Sequence, residues 1–203
     1  MKAAICTVES RLDNYVADLL KVIEPYCEVK LYIDYERKGH TWNYKRMFRE
    51  MLENAKKDEP ILLMTDDVIT IPKWKQYWQD IHEKAKGDIY VLFSRQRHLF
   101  KDININRGYI TKCQKRGLYD QAVIYINGQH LPDYVEIWYE KIGKKVMTKQ
   151  RQKHWDVVIQ DAIVDMNKEY TILTPSLFEH IGDKSTLGHS IGRAVKYIGN
   201  EIL

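Results

Sequence analysis

Short apolar runs alternate with amphipathic stretches along the first half of this chain. Residues 2–7 read as a strand, followed by the loop Thr7-Val8-Glu9-Ser10-Arg11. Asp13 has the chemistry of a helix cap, and Val16, Leu19, Leu20 and Ile23 recur behind it at helical spacing until Pro25. Residues 28–34 alternate, with Val29, Leu31 and Ile33 on one face, which predicts a second strand closed by Asp34. Gly39-His40-Thr41 leads into the strongest helical stripe, Tyr44, Met47, Phe48, Met51, Leu52 and Ala55. Ile61-Leu62-Leu63-Met64 is then apolar throughout and too short for a helix, as expected of a strand buried on both faces. A helix opening near Pro72 carries Trp74, Tyr77, Trp78 and Ile81 inward and stops at Gly87. Residues 89–93 and 122–126 read as the fourth and fifth strands, and the polar, basic stretch 94–121 between them reads as a long loop. A helix from Pro132 presents Val135, Trp138, Tyr139 and Ile142 and ends at Gly143. Asp156 caps another, with Ile159, Ala162, Ile163 and Met166 inward, before a late strand at 170–173 and an irregular, turn-rich stretch at 175–185.

Strand and helix alternation predicts an α/β fold, a mainly parallel central sheet flanked by helices, in one domain of 203 residues. With 44% hydrophobic and 30% charged residues the chain is globular rather than disordered. No apolar run approaches the ~20 residues that span a bilayer. The start of the chain enters a strand pattern without a cleavable signal, and Cys6, Cys27 and Cys113 lack zinc spacing. A reducing, cytoplasmic setting is expected. The chain contains neither G-x-G-x-x-G nor a P-loop, which argues against dinucleotide enzymes and P-loop NTPases.

The chemistry concentrates where the third strand ends, at Thr65-Asp66-Asp67. Ligands of open α/β sheets collect at the carboxyl ends of strands. Two adjacent carboxylates repel unless a positive group lies between them or one keeps its proton. A hard cation, Mn²⁺ or Mg²⁺, takes carboxylate oxygens and shares them with substrate phosphates.

In this order of elements the chain resembles GT-A fold nucleotide-sugar glycosyltransferases. Thr65-Asp66-Asp67 resembles their D-x-D metal motif, with Thr in place of the first Asp. Trp155-Asp156-Val157-Val158-Ile159 and Pro175-Ser176-Leu177-Phe178-Glu179-His180-Ile181-Gly182 are similar to the N-acetylglucosaminyltransferase IV-like branch and its small microbial relatives. The resemblance implies metal roles for Asp67 and His180 and a catalytic base at Asp156. It implies donor binding by Thr7, Glu9, Arg11, Asp34, Asp66, Lys184 and Ser185, from a UDP-sugar, with inversion.

Each of these residues also has an ordinary reading: a solvated turn for the acids, a helix cap for Asp156, surface charge for Arg11, Arg95 and Lys45. Asp161 is the alternative base, and Asp165 reads as solvated. The net charge of +4 is uneven. Arg107, Lys112, Lys115 and Arg116 form one basic run, and Lys141, Lys144, Lys145, Lys149, Arg151, Lys153 and His154 another. Such runs draw in polyanions and suit DNA as an acceptor, for instance a hydroxymethylated pyrimidine in a phage, with Tyr109, Tyr119 and Trp155 as stacking groups. Glycan or lipid-linked saccharide acceptors, a nucleotidyltransferase and a non-enzymatic nucleic-acid-binding module stay open. The oligomeric state has no signature in the sequence.

Overall fold

The computed structural model describes residues 1–94, 108–112 (backbone), 117–119, 121–143 and 154–181. The strands are β1 (Lys2–Thr7), β2 (Glu28–Ile33), β3 (Ile61–Thr65), β4 (Val68–Thr70), β5 (Ile89–Val91), β6 (Gly108–Lys112), β7 (Ala122–Tyr125), β8 (Tyr170–Thr174) and β9 (Phe178–His180). The helices are α1 (Ala17–Ile23), α2 (His40–Glu53), α3 (Trp74–Ala85), α4 (Leu131–Trp138) and α5 (Trp155–Asp165). A 3₁₀ turn at Glu9–Arg11 and a π turn at Leu12–Val16 precede α1, so Asp13 lies within a turn and caps nothing.

Seven strands form one sheet in the order β2-β1-β3-β7-β5-β8-β6. The α/β architecture is as expected, but the sheet is mixed. β1 runs parallel to β2 and β3, and β5 to β8, whereas β7 is antiparallel to β3 and β5, and β6 to β8. An apolar run reads alike in either direction, so periodicity could not reveal that β7 is reversed. The stretch taken for a loop contains β6, which closes one edge of the sheet.

Alternate residues of each strand feed opposite faces. Ala4, Cys6, Leu63, Val91, Val123 and Ile172 join α2, α4 and α5 in one core. Ala3, Ile5, Leu62, Met64, Ile124 and Leu173 join α1 and α3 in the other. With both faces covered, every residue of β3 is buried. The tryptophans Trp74, Trp78 and Trp138 lie in these cores as the stripes predict. Tyr77 and Ile142 do not: both are exposed, because each apolar stripe is narrower than the spacing suggested. Among the described residues no helix is long and apolar enough to cross a membrane.

The second sheet holds only β4 and β9, antiparallel, with Val68 opposite His180. Both strands are three residues long; β4 directly follows β3, and β9 follows β8, the last strand of the main sheet. The Thr70 hydroxyl donates to the Leu177 carbonyl, the Leu177 and Phe178 amides donate to Leu92, and the Ile181 amide donates to the Asp67 carbonyl.

Candidate active site

The register of β1 on β3 pairs Cys6 with Thr65, which sets Thr7 beside Asp66. Asp66 is almost wholly buried, and its two oxygens are divided between two partners. The Thr7 hydroxyl donates to Oδ2 at 2.6 Å, and the Arg11 guanidinium donates to Oδ1 at 2.6 Å. The same Arg11 nitrogen stands 3.4 Å from Asp67 Oδ2. Asp67 turns the other way. Its Oδ1 accepts the Thr65 hydroxyl at 2.9 Å, and its Oδ2 lies 3.1 Å from His180 Nε2. The two neighbouring acids therefore have different surroundings. Burial lifts Asp66 above the usual carboxylate range despite Thr7 and Arg11. Burial also works to raise Asp67, but His180, Thr65 and Arg11 overcome it and hold its pKa down at about 2.

β9 is what delivers His180. Because Val68 pairs with His180, the imidazole sits next to the residue that precedes Val68, which is Asp67. The tail containing His180 was read as irregular, and this short ladder is the part of the site that periodicity missed.

These positions can be tested against a divalent cation. Two cis ligands of an octahedral ion at about 2.1 Å lie about 3 Å apart. The 3.1 Å between Asp67 Oδ2 and His180 Nε2 is the length of an imidazole–carboxylate hydrogen bond, and it is close to that edge as well. Among the described residues no three His, Cys, Asp or Glu side chains cluster as a metal cage. A two-ligand grip completed by substrate phosphates is the way Mg²⁺-like ions are commonly held, so the residues fit such an ion. Asp66, with both oxygens engaged by Thr7 and Arg11, serves as Arg11's anchor rather than as a third ligand.

The other expected donor-binding residues disperse. Asp34 is buried at the end of β2, where its oxygens accept the Lys38 and Gly39 amides at 2.9 and 2.6 Å, pinning the loop into α2. Glu9 is exposed in the 3₁₀ turn. Lys184, Ser185 and Arg95 lie outside the described residues, as do Arg107, Lys115 and Arg116 of the first basic run and residues 144–153 of the second.

Asp156 is in the first turn of α5, one residue inside the helix; His154 is the cap, because Trp155 takes the first helical position to reach the core. Asp156 Oδ1 accepts the Val157 amide at 2.8 Å. Trp155, expected as a stacking group, is 6% exposed, with Tyr139 at its edge and Lys45 Nζ 5.0 Å over its ring. Tyr119 is likewise buried, against Phe93. Lys45 is not merely solvated either, since it bridges to Glu136 at 2.7 Å and so joins α2 to α4. Arg46 is structural, bonded to the Ile33 carbonyl and Asn43 Oδ1. Asp165 is exposed as expected and accepts the Tyr134 hydroxyl.

Two residues at the site went unnoticed in the sequence. Asn43 Nδ2 donates to the carbonyls of Thr7 and Tyr32, tying α2 to the ends of β1 and β2. Its spacing, four residues before Met47 and eight before Met51 on the same helix face, is the signal the sequence offers. The half-buried His40, first residue of α2, feels Asp67, Asp156, Asp66 and Arg11 through space. A cavity of about 590 Å³ lies at the opposite, amino end of the sheet, lined by Met1, Pro60, Trp78, His82 and Asn127 among others, away from these groups.

Comparison with solved structures finds matching folds at low sequence identity. A197 from STIV superposes with a TM-score of 0.53 at 14% identity, covering 90% of this chain and 87% of that one. S. aureus TarS 1-349 superposes with a TM-score of 0.51 at 10% identity, covering 88% of this chain and 59% of that one. The fold is GT-A-like. No protein-family model and no curated protein matches the sequence. β3, the third of the seven strands in the sheet, is paired on both sides, and its pairing with β1 brings Thr7 and Asp66 together.

Proposed function

We propose that this chain is a divalent-cation-dependent glycosyltransferase that moves a sugar from a nucleoside diphosphate, a UDP-sugar, to an acceptor hydroxyl with inversion. One observation carries the reading. An imidazole and a carboxylate converge to 3.1 Å at the carboxyl end of a central strand, beside a fixed guanidinium. Their spacing suits a hard cation, and the guanidinium suits phosphate.

Bound Mn²⁺ or Mg²⁺, held by Asp67 and His180, would supply Lewis-acid neutralisation of the departing diphosphate. Arg11, held on Asp66 and sharing Asp67, adds positive charge on the same side. Asp156 removes the proton from the acceptor hydroxyl as that oxygen bonds to the anomeric carbon. The bond from that carbon to the diphosphate oxygen breaks, and its electron pair leaves on the nucleotide. The narrower kinship with the N-acetylglucosaminyltransferase IV-like branch rests on the sequence resemblance at 155–159 and 175–182. Trp155 and Tyr119 lie in the core, so neither offers DNA a stacking face. A glycan, a lipid-linked saccharide and DNA bearing hydroxymethylated pyrimidines are therefore parallel arms of one transfer assay.

Calorimetric titration of UDP-sugars with and without Mn²⁺, followed by mass spectrometry of the acceptors, tests the reading. Wild-type protein should bind donor in a Mn²⁺-dependent way. Asp67→Ala should lose that dependence, and Asp156→Asn should keep donor affinity and lose transfer. Unaltered Mn²⁺-dependent binding by Asp67→Ala, or normal transfer by Asp156→Asn, would refute the corresponding role.

A further inference from the structure

Asn43 is a buried polar side chain among the apolar residues of α2, and both ends of its amide are engaged. Nδ2 donates to the Tyr32 carbonyl and, at 3.2 Å, to the Thr7 carbonyl, while Oδ1 accepts the Arg46 guanidinium at 2.9 Å. The amide fits only this way round. Reversed, its oxygen would face two carbonyl oxygens and its NH₂ a guanidinium. Arg46 is in turn fixed by the Ile33 carbonyl and lies over the rings of Trp42 and Tyr32, at 5.0 and 5.4 Å from their centroids. With both Nδ2 protons used inside the protein, Asn43 keeps no donor for a ligand. Whatever it does at the site, it does through Thr7.

Thr7 is the last residue of β1, where the chain leaves the sheet. Its carbonyl accepts the Asp34 amide at 3.0 Å as well as Asn43, so the peptide that leads out of the strand is held from two directions. Arg11 depends on that exit at both of its ends. Its backbone amide donates to the Val8 carbonyl at 3.0 Å, in the peptide that follows. Its guanidinium donates to Asp66, whose other oxygen accepts the Thr7 hydroxyl, each at 2.6 Å. A continuous chain of contacts thus runs from Arg46 through Asn43, Thr7 and Asp66 to Arg11. We propose that Asn43 is a positioning residue, which aims the Arg11 guanidinium at the diphosphate of the nucleotide donor by fixing the exit from β1. This rests on the glycosyltransferase reading above, which gives Arg11 its phosphate.

The test is a double-mutant cycle read by calorimetry with UDP at saturating Mn²⁺, on wild type, Asn43→Leu, Arg11→Met and the double variant, with urea unfolding of each as a check on folding. Asn43→Leu should weaken UDP about tenfold, the size of one misaligned charge-assisted hydrogen bond to phosphate. In the Arg11→Met background the same substitution should weaken UDP by less than about twofold, because the group it aims is gone, whereas its effect on stability should appear in both backgrounds. Thr7→Val, which removes only the hydroxyl that holds Asp66, should show the same pattern in its own cycle with Arg11→Met. Equal weakening of UDP by Asn43→Leu in both backgrounds marks a purely structural role and overturns the proposal. So does an unchanged UDP affinity in Asn43→Leu, or one untouched by Arg11→Met. Should Asn43→Leu not fold, the Thr7→Val cycle decides, and strict additivity there overturns the proposal. Failure of wild-type protein to bind UDP at all instead removes the glycosyltransferase reading, and the proposal with it.

Discussion

Replacing Arg11 with Met removes the guanidinium that Asp66 and Asp67 share and keeps a long side chain in its place. Asp66 then retains only Thr7 among its two side-chain partners, while Asp67 retains Thr65 and His180. Removing one member of a buried ion pair costs about 3–5 kcal/mol. Arg11 is 18% exposed, which places this case near the lower end, at about 3 kcal/mol at pH 7. The penalty depends on pH, and its sign follows from Asp66. Burial lifts the folded pKa of Asp66 above its unfolded value. Its stabilising contribution is thus complete below the unfolded value and is lost as pH rises through the folded one. Without Arg11 the folded value climbs higher still, and the window of loss extends toward neutrality, with a slope of at most about 1.4 kcal/mol per pH unit for one proton. Urea unfolding of wild type and Arg11→Met at pH 7 and pH 5 should show the larger deficit at pH 7, smaller by about 1–2 kcal/mol at pH 5, with equal m-values. A deficit that is the same at both pH values, or below about 0.5 kcal/mol at pH 7, would refute the assignment of Arg11 as the counterion of a buried carboxylate.

Two further predictions concern stability. The Asp67 carboxyl is held at about 2 against an ordinary 3.8, so it stabilises the fold above the unfolded value and this is lost as pH falls through about 2. That difference is worth about 2 kcal/mol, and acid unfolding of Asp67→Asn should show a flatter limb between pH 4 and pH 2; an acid limb like that of wild type would contradict it. A methyl added at the half-buried Gly87 would meet Oγ1 of the fully buried Thr171 at 2.9 Å. Gly87→Ala should therefore destabilise by about 1–2 kcal/mol, and pairing it with Thr171→Ala in a double-mutant cycle should recover at least about 0.5 kcal/mol. Strict additivity would show that the two sites do not touch.

The layers of the fold were legible because each helix buries a stripe and β3 buries everything. Tyr44, Met47, Phe48, Met51 and Leu52 specify α2 by spacing alone, and all five are buried. Asp66 and Asp67 stand out as a candidate site because an apolar strand ends in two acids. Their division of labour was not legible, since it is set by Thr7 and Arg11 on one side and Thr65 and His180 on the other, and three of those four lie far away in sequence or beyond a turn. His180 entered through resemblance; its placement needs β4 and β9, whose three residues each are too few to leave a periodic signal. His40 passed as a helix opening because nothing local to it reports Asp67 or Asp156.

The ladder between β4 and β9 has a consequence for how the protein comes off the ribosome. The Thr70 hydroxyl and the Leu177 carbonyl, bonded to each other at its end, are 107 positions apart. Synthesis at roughly 5–20 residues per second leaves β4 waiting several seconds for its partner β9. During that interval Arg11, Asp66 and Asp67 have been made and His180 has not. A fragment released before residue 178 would keep Arg11, Asp66 and Asp67 and lack both β9 and His180, so under the proposed function it carries one of the two groups assigned to the cation.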